Sequence, residues 1–130
     1  MEVANFKLMD ARLRDGIRLF NDRKFFECHE VLEGYYQDSQ LDTKPFIEGL
    51  IQLAAAFRMF VDFGEVKGPV RAIYQALIRF ENYQPAYLQV RVKDLSTEVE
   101  AWAKAAEAAG AVPSTADIPK IQLQRFNLFS

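Results

Sequence analysis

The residues best suited to chemistry fall in one run, Phe25-Phe26-Glu27-Cys28-His29-Glu30-Val31-Leu32-Glu33, which holds the chain's one cysteine and one histidine. At about 100° per residue on a helix, Phe25, Cys28, Leu32, Tyr35 and Tyr36 share one arc, and that arc is the face to bury. His29 falls inside it, between Phe25 and Tyr36. The spacing predicts a partly buried ring with Glu33, at i+4, in hydrogen-bond reach at the arc's edge. Glu30 stands on the rim and Glu27 lies nearly opposite the core.

A second polar pair, Glu48 and Gln52, is spaced i, i+4 inside Pro45-Phe46-Ile47-Glu48-Gly49-Leu50-Ile51-Gln52-Leu53. Gly49, Ala54, Ala55 and Ala56 remove bulk, so another helix can approach closely. If the two segments form an antiparallel pair, His29 and Glu33 face Glu48 and Gln52. Leaving a buried polar group unpaired costs about 1–3 kcal/mol, so such groups are expected to find one another.

Three chemistries fit this pattern. One is a polar network that fixes helix register. Another is a metal site with His29, Glu33 and Glu48 as ligands and Glu30 as the base of a metal-assisted hydrolysis. The third is a small-ligand pocket lined by His29, Glu33, Gln52, Tyr35 and Tyr36. Cys28 and His29 are adjacent and diverge by about 100° on a helix, so they make no thiolate–imidazole pair, and Cys28 reads as a small core residue. No nucleophile elbow, P-loop or dinucleotide fingerprint occurs in the sequence.

The elements that position these residues are helical. Phe6, Met9, Leu13, Ile17 and Phe20 recur at spacings of three and four on a first helix. A second helix is predicted over about Phe25 to Asp38, followed by a polar loop, Ser39 to Lys44. A third opens at Pro45, in a first turn that tolerates a missing N–H, and stops near Gly64. A fourth opens at Gly68-Pro69 and carries Val70, Ile73, Leu77 and Phe80, with Arg71 and Arg79 on a mildly basic, solvated stripe. Tyr83 to Lys93 contains Pro85 and the alternation Leu88-Gln89-Val90-Arg91-Val92, and reads as an extended connection. A fifth helix is predicted from Thr97, with Glu100 completing a capping box, to Gly110. Trp102 is its packing anchor. The tail from Val112 keeps Ile121, Leu123, Phe126, Leu128 and Phe129, too apolar for free disorder, and is expected to lie across a groove of the bundle or a partner chain. Residues 19–36 shifted by 41 positions align weakly with a second helix–turn–helix, a pattern resembling tetratricopeptide-type hairpins.

Composition bounds the rest. The chain has 130 residues, with 16 Lys and Arg against 18 Asp and Glu for a formal charge of −2, which argues against nucleic acid and anionic membranes as partners. One cysteine and one histidine exclude a disulfide framework and any site needing two imidazoles. No secretory signal and no apolar run of membrane-spanning length is read, so a cytoplasmic location is expected. The expected architecture is a single all-α domain over 1–130. It is a compact bundle of about five helices on two helical hairpins, with a helical core over about 4–110 and an extended apolar tail over 111–130.

Three blocks also carry a family resemblance. They are Phe26, Glu27, His29, Glu30, Leu32, Glu33 and Tyr36; then Gly49, Leu50, Ile51, Gln52 and Ala54; then Gly64, Glu65 and Gly68. Over about residues 15–80 the chain resembles the domain-of-unknown-function family 309. The resemblance implies an all-α bundle with no established activity, some of whose members carry the label of predicted metal-dependent hydrolases. The chain departs from the family pattern at several points. Tyr36 stands for Trp, Glu48 for Gln and Glu65 for Asn, and Met59, with Arg58 beside it, stands where a His often follows the second block. His29 is thereby the sole imidazole, and Glu48 adds a carboxylate. The expected function is small-ligand binding or protein interaction at the His-Glu-x-x-Glu helix, with metal-dependent hydrolysis as the alternative. No cofactor is expected unless a divalent metal serves that alternative, and a homodimer is among the expected assemblies.

Overall fold

The computed structural model describes residues 9–108 and 114–124. Among them are five α-helices with no strand: α1 (Ala11–Asn21), α2 (Phe25–Gln37), α3 (Lys44–Phe63), α4 (Lys67–Phe80) and α5 (Val92–Glu107). The all-α expectation holds. Among the described residues, no helix is long and apolar enough to cross a membrane.

Asp10 caps α1, its carboxylate accepting the Arg12 N–H at 2.8 Å. The stripe Leu13, Ile17 and Phe20 is buried, whereas Phe6 lies outside the described residues. A turn at Asp22–Lys24, with Arg23 at φ 66, reverses the chain into α2. Pro45 sits in the first turn of α3, and Gly64, at φ 68, ends that helix by donating its N–H to Phe60 O at 3.1 Å. α1 packs on α2, α2 on α3, and α3 on α4, while α5 packs on α4. Two close approaches set these contacts. A Cβ on Gly16 would stand 2.6 Å from Leu32 Cδ2, and one on Gly49 would stand 2.6 Å from Phe80 Cε1. The helices meet where those side chains are missing.

The centre of the core is aromatic. Phe20, Phe25 and Phe57 form a cluster with centroids 5.1–5.8 Å apart. Trp102 of α5 meets Phe57 and Phe60 edge-on at 5.0 and 4.9 Å, as expected of an anchor. Each such ring, fully buried, contributes roughly 1.5–3 kcal/mol.

The start of α5 differs from the sequence expectation. The helix begins at Val92, and Thr97 lies inside it, its hydroxyl donating to Lys93 O at 3.0 Å. The buried residues Val92, Leu95, Val99 and Trp102 are spaced by three and four, so the last member of the apparent alternation Leu88–Val90–Val92 already belongs to a helical stripe. Its first members form a two-residue turn, with Leu88 and Gln89 at positive φ and Tyr87 and Val90 exchanging backbone bonds at 3.0 and 2.8 Å.

The described part of the tail, residues 114–124, lies against the bundle. Ile118 and Ile121 are buried. Asn21 donates to Ile121 O at 2.9 Å and accepts from Ile121 N at 2.7 Å, and Arg23 donates to Ile118 O at 2.6 Å. The segment also pairs with the Tyr87–Val90 turn, Arg91 N donating to Gln122 O at 3.0 Å. Gly110, Val112, Pro113, Phe126, Leu128 and Phe129 lie outside the described residues.

Candidate functional site

The α2 run folds as its spacing demands. Phe25, Cys28 and Leu32 are buried, Tyr35 and Tyr36 are half-buried, and Glu27 and Glu30 are exposed. Burial pushes the Cys28 thiol up to about 12, so it remains a neutral core group. His29 is partly buried, its side chain 34% exposed.

Its partner differs from the expected one. His29 Nδ1 faces Glu30 Oε2 at 3.7 Å, too long for a hydrogen bond. Among the described residues Glu33 makes no hydrogen bond or ion pair. The i+4 spacing brings Glu33 to the same face as His29, but a half-exposed ring has water available and gains little from a carboxylate. The four-residue grouping of His29, Glu33, Glu48 and Gln52 is therefore not joined by hydrogen bonds.

Glu48 and Gln52 instead turn to α4. Arg79 Nη2 forms an ion pair with Glu48 Oε1, and Arg79 Nε donates to Gln52 Oε1 at 3.1 Å. Gln52 Nε2 donates to Gln75 Oε1 at 3.4 Å. Tyr36 OH donates to Glu48 Oε2 at 3.4 Å, so one polar chain crosses three helices from α2 through α3 to α4. Lys44 closes its end, with its ammonium over the Tyr36 ring at 4.3 Å and donating to Tyr36 O. The Glu48 and Arg79 side chains are 38% and 36% exposed, so this chain lies on an open face.

Arg79, which the sequence placed on a solvated stripe, joins this candidate site through Glu48 and Gln52. The available signal was a lone carboxylate and amide on an apolar helix, Glu48 and Gln52, that needed a cationic partner. Which helix would supply it depends on packing.

Arg58 of α3 packs against two aromatic rings. Its guanidinium stacks on Phe26 at 4.5 Å and lies 5.7 Å from the Phe63 ring, with Asp62 Oδ2 at 3.4 Å from Nε. Phe26 is 47% and Phe63 62% exposed. The lower end of the face is thus aromatic, with a cation between the rings.

The face as a whole follows from helical spacing. Phe26, His29, Glu30 and Glu33 line it on α2. Glu48, Gln52, Ala55 and Met59 line it on α3, and Arg71, Ala72, Gln75 and Arg79 on α4. Among the described residues no group of three or more His, Cys, Asp or Glu side chains converges as a metal site. A separate notch of about 420 Å³ lies elsewhere, between Pro85, Ala86, Arg91, Lys93, Asp94 and Gln124.

Residues 13–71 match the family described as Domain of unknown function (DUF309). The resemblance read from the three motif blocks is thereby confirmed, over a stretch that ends at Arg71 rather than near residue 80. The match spans most of α1, all of α2 and α3, and the first turn of α4. No curated protein matches the sequence.

Proposed function

Taking that family match as premise, we propose that this chain is a binding module that presents the α2–α3–α4 face to another protein. The observation that carries the reading is the openness of the face. Its charged and polar groups lie side by side at partial exposure and pair laterally, as in the chain from Tyr36 through Glu48 to Arg79 and Gln52. Lateral pairing holds each side chain in one orientation without sealing it from a partner. An open polar area with aromatic groups at one end, Phe26 and Phe63, has the make-up of a protein-docking surface. A reducing cytoplasm suits the single free thiol.

Small-ligand binding at the same face is the second reading. The preset Glu48–Arg79 pair supports it, because a fixed charge pair orients a polar ligand without further ordering. A hydrolytic role would fall to His29 with Glu30 or Glu33. These are the neighbouring carboxylates of its helix.

Fragment mapping by heteronuclear NMR tests the reading. Small aromatic and amide fragments at millimolar concentration are expected to shift the signals of Glu33, Gln52, Ala55 and Gln75 together. The variant Ala55→Trp, which fills the middle of the face, is expected to keep the fold and lose those shifts. Shifts that scatter over the surface, or gather at the Pro85–Asp94 notch, would reject it.

A further inference from the structure

The two helices that flank α3 carry opposite charge. α2 holds Glu27, Glu30 and Glu33 and no Lys or Arg, whereas α4 holds Lys67, Arg71 and Arg79 and no Asp or Glu. Within one chain these charges leave one another largely unneutralised. α3 lies between the two helices, and neighbouring helix axes stand about 8–10 Å apart, so α2 and α4 are separated by roughly 16–20 Å, beyond the screening length of about 8 Å in physiological salt. Among the described residues Glu27 and Glu33 on α2, and Lys67 and Arg71 on α4, form no ion pair, and Glu30 meets only His29.

We propose that a second copy of this chain covers the face, related by a two-fold axis that lies in the interface and runs along α3. This rests on the reading of the face as a protein-docking surface. Such an axis lays α3 on α3 and brings the acidic α2 of each protomer onto the basic α4 of the other. Both charge deficits are met in one symmetric contact. A two-fold axis across the helices would instead lay acid on acid and base on base.

The heights along the helices agree with this pairing. Glu48 joins Tyr36 and Arg79, and so marks one level on α2 and α4. At 1.5 Å per residue, Glu30 lies about 9 Å below Tyr36, and Arg71 lies about 12 Å below Arg79. Glu30 is thus level, within side-chain reach, with Arg71 of the other protomer, since the axis preserves height. Glu33 is likewise level with Gln75. The centre of the contact offers Ala55 and Ala72, small enough for close approach, and its lower end buries the exposed ring of Phe26. Three helices over a shared length of about 20 Å give a face of roughly 600 Å². That is short of the ~800 Å² per partner of a standard stable interface, so association in the micromolar range is expected.

Sedimentation equilibrium of the full chain tests this, using Glu30→Arg and Arg71→Glu, both at exposed helical positions. The wild type is expected to dimerise below about 500 µM. Each variant alone sets like charges against each other twice, and is expected to weaken dimerisation at least tenfold. An equimolar mixture of the two variants restores both opposite-charge contacts and is expected to recover the wild-type association. A wild type that stays monomeric to about 500 µM, or a Glu30→Arg chain that dimerises as well or better, overturns the proposal. Those outcomes leave unchanged a fragment map recorded at protein concentrations below the dimer range, so loss of the dimer and loss of the docking face are read separately.

Discussion

Replacing Arg79 distinguishes an open polar face from a buried one. Arg79→Met keeps the aliphatic stem and removes an ion pair to Glu48 and a hydrogen bond to Gln52. Both side chains of the ion pair are more than a third exposed, at 36% and 38%. A pair that wet contributes about 0.2–1 kcal/mol, because solvent screens the attraction and ordering two long side chains costs entropy. The bond to Gln52 adds about 0.5–1.5 kcal/mol. The loss should therefore total about 1–2 kcal/mol, which lowers Tm by roughly 3–10 °C in a domain of this size. Urea titrations of the wild type, Arg79→Met, Glu48→Gln and the double variant form a cycle whose coupling should fall at about 0.5–1 kcal/mol. That coupling should shrink further in molar salt. A coupling above about 3 kcal/mol, indifferent to salt, would mean that the pair is shielded from water. The face would then be an interior, and the argument for docking on it would fail.

Four further outcomes follow from single contacts. Gly49→Ala places a methyl 2.6 Å from the fully buried Phe80 ring and should destabilise the fold by about 1–3 kcal/mol in urea, in contrast to the gain expected at an unobstructed helical glycine. Asn21→Ala removes both bonds to Ile121; the Ile121 amide should then exchange with solvent at least tenfold faster, and an unchanged rate would show that the tail is held elsewhere. Cys28, with its thiol pushed up to about 12, carries almost no thiolate at pH 8 and should resist iodoacetamide in the folded chain while reacting readily in urea. Among the described residues Glu30, at 3.7 Å, is the one carboxylate within 4 Å of the His29 imidazole, so His29 should give zinc or manganese no purchase; a rise in Tm on adding either ion, lost in His29→Ala, would revive the hydrolytic alternative.

Local spacing alone determined a good deal here. The stripes Leu13–Ile17–Phe20 and Phe25–Cys28–Leu32 name buried faces because a helix returns to the same side every three or four residues. Pro45 and Gly64 mark the ends of α3 because one lacks an N–H and the other tolerates positive φ. The half-buried state of His29 was legible for the same reason, from its place between Phe25 and Tyr36. Where two periods overlapped, at Val90–Val92, the sequence alone could not separate an alternating segment from the first turn of α5.

Only the tertiary structure decided what the polar groups touch. Glu48 and Gln52 were legible as groups that needed partners, yet Arg79 lies 27 residues from Gln52 along the chain, and no spacing rule relates them. The choice depends on which neighbours α3 takes and how each is rotated about its own axis. That is set by close packing at Gly16 against Leu32 and at Gly49 against Phe80. Helical period assigns a residue to a side of its own cylinder. Contact between cylinders, the same physics that anchors the tail on Asn21, determines which sides meet.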